Sequence, residues 1–81
     1  MSFVEQLVAV AETFAIARGL SISRVSTLAF GDGKIIDRLR AGSDMTTGRF
    51  ESGMQWFSDN WPAEAVWPGD IGRPTPKEQA A

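Results

Sequence analysis

Residues 18–42 read RGLSISRVSTLAFGDGKIIDRLRAG, with glycines at 19, 31, 33 and 42 and with Ser21 and Asp32 standing one or two places after a glycine. This punctuation predicts two short helices joined by a tight turn. Ser21 caps the first, which has Val25, Leu28 and Ala29 as its apolar face and Gly31 as its stop. Asp32 caps the second, with Ile35, Ile36 and Leu39 inward and Gly42 as terminator. On a helical wheel of residues 33–41 the three large apolar residues share one sector, and Gly33, Lys34, Asp37, Arg38 and Ala41 lie opposite.

Upstream, Ser2-Phe3-Val4-Glu5 forms a capping box and so starts a helix. Phe3, Leu7, Val10 and Phe14 recur at helical spacing, Val4, Val8, Ala11 and Ala15 widen the stripe, and Gly19 supplies a left-handed stop. Downstream, Thr46 caps a fourth helix, with Met45 and Phe50 placed as a hydrophobic staple. Phe50, Met54, Phe57 and Trp61 repeat the spacing, and Pro62 ends the element. Gly48 and Gly53 inside it each cost about 1 kcal/mol relative to Ala, a cost that close helix packing would explain. All four prolines lie beyond residue 61. The expected fold is therefore all-α, a compact four-helix bundle of helix-turn-helix type with an extended Pro- and Trp-containing C-terminal tail. Residues 1–61 form the helix-turn-helix domain and residues 62–72 an ordered extended segment packing on it through Val66, Trp67 and Ile71. Residues 73–81 are expected to be a disordered tail, dispensable for folding.

A chain of 81 residues has surface for one hydrophobic core. It contains no Cys, no His and no Tyr, which removes thiolate ligands, imidazole ligands and the commonest general base, so neither an enzyme nor a metal or other cofactor is expected. No apolar run approaches the roughly 20 residues that a bilayer requires. The segment Phe3 to Ala17 lacks a basic start and carries Glu5 and Glu12, so no signal peptide is read and a cytoplasmic location is expected. The net charge of −2 conceals a partition. Residues 18–49 carry Arg18, Arg24, Lys34, Arg38, Arg40 and Arg49 against Asp32, Asp37 and Asp44, and the acidic excess lies in the two ends. A basic middle is what phosphate contacts need.

The 18–42 stretch resembles the helix-turn-helix of phage-repressor-type proteins, the lambda-repressor-like superfamily. Gly19-Leu20-Ser21 fits the opening of that pattern, Val25 and Ala29 its first helix, Ile36 and Leu39 its second, and Gly42 its close. Met45-Thr46-Thr47 with Phe50 looks like the Thr-led helix that follows. Asn60-Trp61-Pro62, Trp67-Pro68 and Arg73-Pro74 are similar to the tails of small uncharacterised members from phage and alphaproteobacterial genomes. The chain departs from the pattern at two places: Ser26 stands where the family has a small Ala between the two helices, and Phe30 stands where its turn has Gly, with Gly31 one place later.

The resemblance implies sequence-specific binding of double-stranded DNA, with transcriptional regulation as the role and a homodimer at least on DNA; no membrane and no small-molecule substrate is expected as a partner. The implied DNA-binding residues are Arg24, Gly33, Lys34, Asp37, Arg38 and Arg49. Lys34 and Arg38 can reach phosphate or guanine, Asp37 can accept from a cytosine amino group, and Arg24 and Arg49, near helix starts, suit the DNA backbone. Each has a plainer alternative: a solvated face with Lys34 and Asp37 paired, and ordinary surface arginines. Arg40, flanking the apolar sector, reads as an intramolecular ion pair or a snorkelled stem. Gly31-Asp32-Gly33-Lys34 lacks the preceding strand and following Ser or Thr of a phosphate-binding loop. Trp56, Trp61 and Trp67 either complete a small core or form a dimer interface. The alternative function is a non-catalytic protein–protein interaction module that keeps the helix-turn-helix shape without binding DNA.

Overall fold

The Ser2 hydroxyl accepts from the Glu5 amide at 3.2 Å while the Glu5 carboxylate accepts from the Ser2 amide at 3.0 Å, satisfying donors that a helix start leaves free. Hydrogen bonding to the carboxylate, from the Ser2 amide foremost and then from the Ser2 hydroxyl, holds the Glu5 carboxyl below its ordinary pKa. In the computed structural model, which describes residues 2–77, the box opens α1 (Phe3–Arg18), which ends at Gly19 in the left-handed region. Ser21 caps α2 (Ile22–Phe30) and Thr46 caps α4 (Thr47–Asp59), each accepting from the amide three residues on. Between them lies the six-residue α3 (Ile35–Arg40). The described residues contain no strand, so the chain is an all-α bundle. No helix among them is long and apolar enough to cross a membrane.

Burial follows the apolar stripes. Leu7, Val10, Ala11 and Phe14 of α1 meet Val25 of α2, Ile36 and Leu39 of α3, and Met54 and Phe57 of α4. α1 and α2 each pack against every other helix, whereas α3 and α4 scarcely touch. A cleft therefore opens between α3 and the start of α4. The two glycines of α4 differ in kind. A Cβ at Gly53 would sit 2.6 Å from the Phe30 ring, so the glycine lets that ring close on the helix, whereas nothing lies within 4 Å of a Cβ at Gly48.

The start of the third helix differs from the expectation. Asp32 is not its N-cap. Asp32 Oδ1 accepts from the Lys34 amide at 2.9 Å, the geometry of an Asx turn, and the helix begins only at Ile35, with Lys34 at the cap position and no side-chain cap bond. The missing acceptor comes from α2: the buried Ser26 Oγ accepts from the Ile36 amide at 3.2 Å and donates to the Asp32 carbonyl at 2.5 Å. The left-handed residue that ends α2 is Gly31, with φ 75°, so the glycine one place beyond Phe30 makes the turn.

The tail is also corrected. Residues 62–72 lie on the bundle, the Trp61 and Trp67 rings 4.7 Å apart and tilted by 59° and Ile71 buried, but Val66, expected to pack with them, is 85% exposed. The ordered segment then continues past residue 72. Arg73 donates to the Ser58 hydroxyl (3.0 Å) and carbonyl (2.9 Å), the Ser58 hydroxyl donates to the Pro74 carbonyl, Gln55 donates to the Thr75 carbonyl (2.9 Å), and the Lys77 amide donates to Asp59 (2.8 Å). Donors come from both sides: Ser58 and Gln55 of α4 serve the Pro74 and Thr75 carbonyls, and Arg73 and the Lys77 amide of the tail serve Ser58 and Asp59. Residues 73–77 are thus held on α4, and residues 78–81 of the expected tail lie outside the described residues. The three tryptophans engage within the chain: Trp56 and Trp61 pack around Phe14, and the Trp61 and Trp67 indoles donate to the Ala65 and Ile71 carbonyls.

Candidate functional site

Arg38 projects from the solvent side of α3, its Nη1 3.7 Å from Asp32 Oδ2. Arg49 sits in the first turn of α4, where the Thr46 hydroxyl accepts from its amide at 3.2 Å, and its guanidinium lies over the Phe30 ring at 5.7 Å from the centroid. Both arginines line one cleft of about 410 Å³ with Ile35, Leu39 and Thr46, and the acidic Asp44 lines it as well. Two guanidinium groups beside the positive end of a helix make a surface suited to anionic oxygen, and the planar Arg fork also matches the O6 and N7 acceptors of guanine.

The other expected site residues fall elsewhere. Because α3 starts at Ile35, Gly33 and Lys34 belong to the preceding turn and not to the helix face. Gly33 is pressed against α2, where a Cβ would meet the hydroxyls of Ser23 and Thr27 at 3.1 Å. Lys34 remains exposed, with its amide held by Asp32. Asp37 pairs with Arg40 at 3.5 Å and Arg40 also with Glu12 at 3.4 Å, so Arg40 has the intramolecular role expected of it, and Asp37 pairs with it and not with Lys34. Arg24 is exposed on the first turn of α2 and does not line the Arg38–Arg49 cleft.

Three contacts lie beyond those expectations: Asp32 as the partner of Arg38, Phe30 as the platform under Arg49, and the hydrogen bonds by which Ser26, already set between the two helices by the resemblance, joins α2 to α3. The Asp-Gly pair at 32–33 carries a local turn signal for the first. Ser26 is ten residues from the amide it serves, and no local pattern announces that. No group of three or more His, Cys, Asp or Glu able to hold a metal occurs among the described residues. Comparison with protein-family models, with curated proteins and with solved structures finds no match.

Proposed function

We propose that the protein binds double-stranded DNA sequence-specifically and regulates transcription, with Arg38 reading a base edge and Arg49 holding the DNA backbone. The observation that carries this reading is the shared cleft of Arg38 and Arg49 at the α3–α4 junction, both on the solvent side and both fixed by neighbours. Phosphate contacts set register and base contacts give preference, so one arginine for each is the minimum a half-site needs. Lys34 and Arg24 are assigned to phosphate, and Asp37 to a cytosine amino group. A homodimer reading two half-sites about one helical turn apart completes the proposal.

An electrophoretic shift against random duplex at two salt concentrations tests it. Binding should weaken with salt, log K falling by about 0.9 per phosphate contact for each tenfold rise. Absence of any shift at low salt would reject the reading. In its place would stand a protein-interaction module, which is favoured by one observation: Asp32 and Asp37 pair with Arg38 and Arg40 and so neutralise part of this face.

A further inference from the structure

Asp32 is held at three points, one on its backbone and two on its carboxylate. Its carbonyl accepts from the buried Ser26 hydroxyl, its Oδ1 accepts from the Lys34 amide at 2.9 Å, and its Oδ2 faces Arg38 Nη1 at 3.7 Å. A chain of contacts thus runs from a hydroxyl with no solvent exposure to a guanidinium that is more than half exposed. As a source of fold stability this ion pair is worth little, because both side chains are open to water. Its physical effect is on position. A long Arg side chain carries about 2 kcal/mol of rotamer freedom, and a partner fixed on the preceding turn removes part of it before any ligand arrives.

From this geometry we infer that Asp32 is a positioning residue that sets the Arg38 guanidinium for two-point recognition of a guanine edge, and so determines specificity at that base. The inference rests on the DNA-binding reading above. It carries an opposed pair of signs: Asp32 repels phosphate, so it lowers affinity for arbitrary duplex while raising discrimination between the preferred site and a variant lacking that guanine. A merely structural residue would move both the same way.

Asp32→Asn keeps the Oδ1 acceptor of the turn and removes the charge, and Asp32→Ser repeats the test with a shorter acceptor. The first readout needs no DNA: the NMR order parameter of the Arg38 Nε–H group in the free protein should fall in both variants, with the helix content unchanged. The second is binding to the parent's selected duplex and to its guanine-substituted form. Discrimination should drop about tenfold while affinity for random duplex holds or rises, and in an Arg38→Ala background Asp32→Asn should cause no further loss. Unchanged Arg38 order, or lowered order with discrimination intact, overturns the inference and leaves DNA binding standing. A parent protein that fails to distinguish the duplexes overturns the functional reading itself, and the specificity role falls with it.

Discussion

Ser26 shows how one atom decides a junction. Its hydroxyl serves an amide on α3 and a carbonyl in the turn, and it has no solvent exposure. Ser26→Ala removes no needed volume yet orphans the Ile36 amide and leaves the Asp32 carbonyl only the long 3.5 Å bond from the Ile35 amide, so chemical denaturation should show a loss of about 1 to 3 kcal/mol. A paired test applies to α4. Gly53→Ala forces a Cβ into the Phe30 ring and should destabilise by about 1 to 3 kcal/mol, whereas Gly48→Ala, with open space around it, should stabilise by up to about 1 kcal/mol. Equal effects at the two sites would mean that Phe30 does not pack as described. On the functional side, Arg38→Ala should cost about 1 to 3 kcal/mol on the preferred duplex. Lys77→Ala removes the same charge far from the cleft and keeps the amide that Asp59 accepts, so it should leave duplex affinity unchanged in the same titration.

At the scale of elements, the helices whose ends are decided by adjacent residues were legible: the Ser2–Glu5 box, Ser21, Thr46 and the Gly19 and Gly31 stops each act within four positions. The third helix was misplaced because its first turn is completed by Ser26, across a turn and from another helix. The tail was misjudged for a related reason. Its prolines argue against regular structure, and they say nothing of side chains on α4 that bind its carbonyls. Arg73 concentrates those ties, with two hydrogen bonds to Ser58 and its guanidinium over the Trp67 ring at 5.6 Å. Truncation after Gly72 should therefore lower the thermal midpoint by several degrees, as a loss of about 1 to 3 kcal/mol does in so small a domain. An unchanged midpoint would restore the dispensable tail. The strap also has a pH dependence. The Lys77 amide foremost, then Gln55, holds the Asp59 carboxyl below its ordinary pKa. A group with a lowered folded value stabilises fully above its unfolded value and loses that contribution as pH falls through the folded one. An NMR titration should show the Lys77 amide shifting in that acid range, on the low side of ordinary carboxylates, and Asp59→Ala should abolish the shift.

For the whole molecule, charge and shape divide the surface. The acidic ends of the chain are α1 with its Glu5 and Glu12, and the segment from residue 50 onward, while the basic residues of the middle, apart from Arg18 at the end of α1, gather about α2, the turn, α3 and the start of α4. Among the candidate site residues, the sequence pattern made Arg38 and Arg49 visible singly. Their convergence was not visible, because it depends on α3 and α4 standing apart across the 41–46 loop. If this cleft meets DNA, its use should be recorded in the sequences the protein retains. The most direct measurement is selection of bound duplexes from a randomised pool by the full chain and by Arg38→Ala. The parent should enrich a motif containing a guanine, and Arg38→Ala should lose preference at that one position while keeping the rest. A pool that emerges unenriched, or an identical motif from both proteins, would contradict this reading of the cleft.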